Sequence, residues 1–377
     1  MSVFYFGSYV DDEQESLYEA SVPGSIKMHY ILTKIQEATS KQVNICSFAK
    51  NKKKAFYLNK TFHKPDNRNV LYFMGCGINN KIGRALDWFL KRLAFLLVIR
   101  CVKDQDTVII YHSGWTKYLK HICKKRKFRK ILEVEEIYAY SDFIDKNVQS
   151  EIESIKGFDS YIYINEYIPN SLNIKKPYAV SYGVVKRNML KNEDKDFFDD
   201  GKIHIVYAGA ISLERQGAYT ALDAVKELSD DYVLHILGTG TNEAIKQLKN
   251  NIENVNSLNN TCKVEYNGFL HGDDMYNFLK NCDIGLSTYN LRSNFSNNSL
   301  PSKVLSYMSC GLNVVIGYTE AFEIMPISQY WTFYYEQSPE NIASAIRNVR
   351  KINRNEMYQS LIEADNNVAL FLKNELN

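Results

Sequence analysis

A lysine, an arginine and several small residues stand where a phosphate could be held. Residues 203–217 read IHIVYAGAISLERQG: a β-branched apolar run, a turn of Ala208, Gly209 and Ala210, then a polar loop containing Arg215. Small residues at a strand-to-helix turn let backbone N–H groups approach an anion, and a helix N-terminus favours negative charge. Arg215 could add a bidentate charged fork to a pyrophosphate; the plainer reading is a surface arginine near a helix start. The next strand repeats the arrangement in YVLHILGTGTNEAIKQL, with Gly238 and Gly240 at the turn. A lone G-x-G is weak, because many crossovers need glycine merely to turn. Two adjacent strand ends, however, would face one crevice. A third segment, Asn297 to Gly317, reads NNSLPSKVLSYMSCGLNVVIG. Pro301 suits a first helical turn and Gly311 a C-cap. Ser302 and Lys303 then fall at the helix N-terminus, the unfavourable end of the dipole for a cation. A well-formed helix accounts for the proline and the glycine; an anionic ligand would account for the lysine.

Metal chemistry finds less support. Asp194-Lys195-Asp196 has metal-binding spacing but lies in a charged, turn-rich stretch, and Asp273-Asp274 reads as a helix-capping pair. The seven cysteines include no C-x-x-C pair, which argues against a zinc site or a disulfide scaffold and fits a reducing cytoplasm. No Gly-x-Ser-x-Gly or P-loop lysine motif is present. The expectation is a reaction without metal or cofactor.

The elements that must position these residues alternate. Short β-branched and aromatic runs (Val3–Phe6, Gln42–Phe48, Val70–Phe73, Thr107–Tyr111, Lys130–Val134) are separated by helical patterns at Ser25–Thr39, Gly83–Cys101 and Thr116–Lys127. From residue 203 the strands Ile203–Tyr207, Tyr232–Leu237, Lys263–Tyr266, Ile284–Ser287, Asn313–Ile316 and Trp331–Tyr334 alternate with helices at Leu213–Ser229, Asn242–Asn251, Asp273–Asn281, Ser302–Cys310 and Pro339–Val349. Alternation of this kind predicts parallel sheets with helical crossovers. At 377 residues the chain is longer than one core usually serves. The expected division is a Rossmann-like domain over 1–185, a linker over 186–202 (KRNMLKNEDKDFFDDGK), a second Rossmann-like domain over 203–352 and a C-terminal helix over 353–377.

Charge is unevenly divided. Residues 1–185 hold 28 Lys+Arg against 19 Asp+Glu, and residues 186–377 hold 18 against 24. A basic first half suggests an anionic partner there. The helix Gly83–Cys101 (GRALDWFLKRLAFLLVIRC) and the run KHICKKRKFRK at Lys120–Lys130 are the candidates for an anionic membrane surface met through residues 83–130. A core crossover helix and a solvated basic helix end are the bland alternatives. No nucleic-acid module accompanies the basic run, so nucleic acid is not an expected partner. The longest apolar stretch, Leu93 to Ile99, is far too short to span a bilayer, and no signal segment is visible, so the expectation is a cytoplasmic protein, peripheral on the inner face of the membrane.

The succession YAGAIS…ERQG, LHILGTG, VEYNGFL, NCDIGLS and LPSKVLSYMSCGLNVV over residues 203–317 resembles the nucleotide-binding domain of glycosyltransferase family 4 and its relatives. In the first half, Val22-Pro23-Gly24-Ser25 resembles the family's glycine loop, VIIYHSG with His112 resembles its strand-end histidine, and ILEVEEIY resembles the following strand. The resemblance implies a GT-B fold, two Rossmann-like domains facing across a cleft, with the C-terminal helix returning to the first. It implies transfer of a hexose from a nucleotide sugar, a UDP-sugar, to a saccharide acceptor that is lipid-linked, in O-antigen, capsule or exopolysaccharide synthesis, with retention and without metal. Arg215 and Lys303 would hold the donor diphosphate and His112 would lie near the transferred sugar. Gly24, Gly209, Gly238, Gly240, Asn298, Ser302 and Ser306 would line the donor site. The sequence departs from the family where two glutamates are usual and Asn298 and Ser306 stand instead. That leaves open a second class, an inert GT-B-shaped accessory subunit of a polysaccharide assembly complex. Arg215, Lys303 and His112 favour the enzyme.

Overall fold

The computed structural model describes residues 1–19, 21–112, 118, 126–137, 140, 148–186, 198–288 and 296–377. Chain contacts divide it into two compact units: Met1–Ile164, Ile168–Val184 and Asn366–Asn377 form the first, Asn165–Tyr167 and Val185–Asp365 the second. Most of the expected helix Thr116–Lys127 and most of the stretch 186–202, including Asp194 and Asp196, lie outside the described residues.

The strands in chain order are β1 (Ser2–Gly7), β2 (Gln42–Ser47), β3 (Phe56–Tyr57), β4 (Lys60–Lys64), β5 (Arg68–Tyr72), β6 (Gly75–Cys76), β7 (Thr107–Tyr111), β8 (Arg129–Val134), β9 (Ser160–Tyr163), β10 (Tyr178–Val180), β11 (Ile203–Ala208), β12 (Tyr232–Leu237), β13 (Lys263–Gly268), β14 (Ile284–Ser287), β15 (Asn313–Gly317) and β16 (Trp331–Tyr334). The first unit is built on an eight-stranded sheet ordered β10-β9-β8-β7-β1-β2-β5-β4. Its strands run parallel except β4, which pairs antiparallel with β5, Phe62 opposite Val70. Of the edge hairpin the sequence reading holds only β5, as Val70–Phe73; β4 and the short β3–β6 pair are absent from it, because strands of two to five residues leave no hydrophobic period to detect.

In the first unit the helix Val22–Ala38 packs Met28, Ile31, Leu32 and Ile35 against Val3, Tyr5, Val43 and Ile45. The helix Lys81–Cys101, capped by Asn80 accepting from the Gly83 N–H at 2.7 Å, inserts Phe95 among Phe6 and Phe48, ring centroids 5.2 and 6.3 Å away. Aromatic edge-to-face contacts at such separations add to the area they bury.

The second unit has six strands, all parallel, ordered β13-β12-β11-β14-β15-β16. The order reverses between β11 and β14. In the first unit it reverses between β1 and β7. Open α/β sheets offer their ligand crevice at such switch points, beyond the carboxyl ends of the strands. The fold is thus α/β with two Rossmann-like halves, as the alternation predicts.

The final helix, Arg354–Leu376, divides between the units at Asp365. Val368, Leu372 and Leu376 join the first unit's core, and Glu375 takes a bidentate ion pair from Arg129 at 2.7 and 2.8 Å. The expected helix Leu213–Ser229 is shorter than its pattern, running Gly217–Ala224 into a 3-10 turn at Val225–Glu227. Its start is fixed by Gln216, whose φ of 52° ends the loop in a left-handed conformation that a helix cannot continue.

Candidate functional site

At the second unit's switch point, one tyrosine joins the two diverging strands. The Tyr307 hydroxyl accepts from the Ala208 N–H at 2.8 Å, at the end of β11, and donates to the Leu286 carbonyl of β14 at 3.3 Å. The ring lies on Gly285, where a Cβ would fall 2.3 Å from it, so only glycine fits. Tyr307 is fully buried in the helix Lys303–Ser309, and its position carries Lys303 to the mouth of the switch point.

The Lys303 ammonium sits over the Tyr207 ring, 3.8 Å from its centroid. A Cβ at Gly209 would be 3.0 Å from the Lys303 Nζ, so the absence of a side chain there opens the cation's place. Among the described residues Lys303 has no carboxylate partner. Burial pushes its pKa down to about 7. A cation held only by an aromatic face, beside a sheet's ligand crevice, is short of one negative charge. The helix-dipole argument for this lysine is replaced: the helix has only seven residues, and it is Tyr207 that holds the ammonium.

Arg215 is exposed in the loop after β11 and acts on the same tyrosine. Burial raises the Tyr207 hydroxyl to about 12, and the Arg215 charge offsets part of that rise. Gly217 makes room for Tyr207, since a Cβ there would meet its Oη at 2.5 Å. Tyr207 and Tyr307 escaped the sequence reading. Their signal was placement alone, one residue before the small-residue turn and four after the lysine.

The other proposed donor residues take varied places. Gly238 and Gly240 have a packing reason to be glycine: a Cβ on either would lie 1.9 or 2.0 Å from the carbonyl oxygen of Gly209 or Ile211. The Gly209 N–H donates to Leu237 O at 2.9 Å and the Gly238 N–H to Gly268 O at 2.8 Å, so these two amides are engaged within the protein. Ser302 is exposed and precedes the helix without capping it. Asn298 is buried in a short turn, Ser296–Asn298, tethered where Asn297 accepts from Ala321 N at 3.3 Å. The Ser306 hydroxyl, half-buried, is hydrogen-bonded to Tyr276.

The first unit's switch point gathers a second group. Gly7 ends β1, and a Cβ there would meet Met28 Sδ at 2.8 Å and Tyr111 Cβ at 3.0 Å. Gly24 lies in the first turn of the Val22–Ala38 helix, where a Cβ would sit in ordinary contact with Ser21 Oγ at 3.4 Å and the Tyr111 hydroxyl at 3.6 Å. Ser25 beside it is buried, and its Oγ has no hydrogen-bond partner among the described residues. His112 follows Tyr111 with φ 72°, a left-handed conformation costing a non-glycine residue about 1–2 kcal/mol. Its N–H donates to Glu133 O at 2.8 Å, and its Nε2 lies 3.8 Å from Glu136 Oε1. Ser113 and Gly114, which follow it, lie outside the described residues.

Beside His112 three ionisable residues missed in the sequence form one network. Glu133 is fully buried, accepts from the Tyr5 hydroxyl at 3.0 Å, and has its pKa pushed well up by burial and then by the Glu135 charge. Glu135 pairs with the buried Lys27 ammonium at 3.3 Å, and Lys27 also donates to Ser181 O and Oγ at 2.8 and 2.9 Å. The run EVEE showed the charges, but not that the first of them points inward from β8.

Among the described residues no three His, Cys, Asp or Glu side chains come together as a metal group, and no helix is long and apolar enough to cross a membrane.

Residues 202–351 match the family model for glycosyl transferases group 1. No curated protein matches the sequence. Among solved structures, the chain is similar to a UDP-forming α,α-trehalose-phosphate synthase from Burkholderia xenovorans, at 9% identity over 99% of this chain and 98% of that one, TM-score 0.69. It is similar to the E. coli trehalose-6-phosphate structure bound with UDP-2-fluoro glucose, at 10% identity over 100% and 97%, TM-score 0.64. It is similar to HepE of Anabaena in complex with UDP, at 10% identity over 100% and 94%, TM-score 0.58. Residues 202–351 thus match a group 1 glycosyl transferase domain, and the chain as a whole has the GT-B fold of these structures.

Proposed function

We propose that the protein transfers a hexose from a UDP-sugar to a saccharide acceptor, with retention and without a metal ion. The observation that carries the donor reading is Lys303, a cation over Tyr207 at the β11–β14 switch point with no carboxylate partner among the described residues. A diphosphate placed there completes its pairing, and Arg215, acting on the same tyrosine, adds a second cation. Negative charge grows on the leaving diphosphate as the sugar–phosphate bond breaks, so a cation fixed at that point helps most in the transition state. In the first unit, the N-terminal turn at Gly24 and Ser25 and the strained His112 are the groups we assign to the sugar and acceptor side.

The acceptor we propose is a lipid-linked saccharide of a surface polysaccharide. This reading is supported by the resemblance of the sequence to glycosyltransferase family 4 and its relatives. A soluble sugar phosphate is the second reading, because one neighbouring trehalose-phosphate synthase structure is in complex with glucose-6-phosphate. UDP release from a panel of UDP-hexoses, with glucose-6-phosphate or an undecaprenyl-diphosphate saccharide as acceptor, separates the two. NMR of the anomeric proton reports retention. No turnover of any nucleotide sugar, with binding intact, would turn the reading toward an inert accessory subunit.

A further inference from the structure

The helix Lys81–Cys101 carries an apolar stripe on its outward side. Ile82, Leu86, Phe89, Leu93 and Leu97 are 80, 40, 57, 40 and 47% exposed. Their spacing of four, three, four and four residues puts them on one face, about 22 Å long at the helical rise. The opposite side buries Leu90, Ala94 and Phe95 in the first unit. A crossover helix of a soluble domain normally turns polar residues outward, so the alternative of an ordinary core helix describes only the inner face.

The stripe is bordered by one sign of charge. Lys81 and Arg92 are exposed along one edge and Arg100 at its C-terminal end. The helix's one acid, Asp87, is turned inward, pairing with Lys91 at 2.8 Å and accepting from Tyr57 Oη and Cys76 N. Trp88 is 45% exposed with the Arg92 guanidinium 5.3 Å from its ring centroid. The neighbouring loop, tied to the helix through Tyr57 and Asp87, adds exposed Phe56 and Leu58 beside exposed Lys52, Lys53 and Lys54.

We propose that this face docks on an anionic lipid bilayer, its apolar stripe entering the headgroup boundary and its cations meeting lipid phosphates. The occupant follows from charge: apolar residues fringed only by cations, with no exposed acid on the helix, fit an anionic interface. The inference rests on the lipid-linked acceptor proposed above, which such docking would let the enzyme meet without extracting it.

Flotation of the full chain with vesicles of phosphatidylcholine alone or with 30% phosphatidylglycerol, at low and high salt, tests it. Binding rises with phosphatidylglycerol and falls with salt. Each lost cation lowers partitioning about fivefold, so Lys81→Ser with Arg92→Ser costs about 25-fold. Phe89→Ser with Leu93→Ser removes the inserted part and lowers partitioning by at least tenfold at equal charge. No binding to anionic vesicles at low salt, or binding indifferent to the Phe89/Leu93 pair, overturns the proposal. So does a dimer in solution that the same pair converts to monomer, since a second copy would then cover the stripe. Transfer to a water-soluble acceptor is measured on the same proteins. If it persists while vesicles are ignored, docking fails and the enzymatic reading stands; if it is absent while vesicles bind, the reverse holds.

Discussion

Lys303 should take up a proton when the donor binds. In the free protein its ammonium is pushed down to about 7 by burial. At pH 8 only about one molecule in eleven then carries the charge. A bound diphosphate supplies the missing counter-ion and returns the pKa toward its ordinary 10.5. With a charged contact worth about 10- to 100-fold in affinity, binding at pH 8 takes up about 0.4–0.8 proton per site, and at pH 6 about 0.1. The sign follows: affinity for the anion is full below pH 7 and falls about tenfold for each unit above it. A UDP-hexose is the proper ligand, because its diphosphate diester does not itself titrate in this range.

Calorimetry in buffers of different ionisation enthalpy reads the proton count directly. Lys303→Met removes the uptake. It weakens binding at pH 6 by about 10- to 100-fold, the loss of a charge-assisted contact of about 1.5–3 kcal/mol. Near pH 9 the wild type carries the charge in only about 1% of molecules, so the two proteins converge. The unliganded protein shows the opposite trend in stability. It gains stability between about pH 7 and 10.5, where the unfolded chain holds a proton that the folded site has shed. Wild-type binding with no proton uptake at pH 8, or a wild-type to Met affinity ratio that is flat from pH 6 to 9, would refute the placement of the diphosphate on Lys303.

Further outcomes follow from the packing and the strand ends. Tyr307→Phe strands the buried Ala208 N–H and should lower stability by about 1–3 kcal/mol in chemical denaturation. Gly238→Ala should fail to fold or lose most of its stability, because its Cβ would lie 1.9 Å from Gly209 O at φ 151°. Gly24→Ala meets nothing closer than 3.4 Å and should keep its melting temperature while slowing transfer, if the helix turn faces the sugar and diphosphate. His112→Ala should cut turnover more than it changes UDP-sugar affinity; unchanged kinetics would leave His112 as a strained strand end. Turnover should survive a chelator, and loss with rescue by manganese would overturn the metal-free proposal.

What the sequence makes legible, and what it hides, divides along the range of the interactions. The six strands from Ile203 to Tyr334 announce themselves because each is a short, continuous apolar run, and their crossovers carry the helical period. Lys303 is legible for a local reason, a cation at a helix start, although the structure gives it a different neighbour. Tyr207 and Gly209 come from a strand 94 or more residues earlier, and no pattern within the LPSKVLS segment points to them. The same holds for Glu133. Its partner Tyr5 lies 128 residues away, and only the parallel register of β1, β7 and β8 brings them together. The glycines show the converse. Gly209, Gly217, Gly238 and Gly240 all read as turn formers with equal right, yet the first two make room for side chains of the site and the last two let neighbouring crossovers touch. Residue type records that a side chain is unwelcome; only the fold says whether backbone, a ring or a ligand takes its place. The outward stripe on Lys81–Cys101 is the remaining case. Its apolar residues are interleaved with Lys81, Arg84, Asp87, Lys91, Arg92 and Arg100, and the pattern alone does not say which of the apolar ones face the core. One face of that helix packs into the first unit, and the other keeps Ile82, Phe89 and Leu97 in the open, the face for which we propose the bilayer.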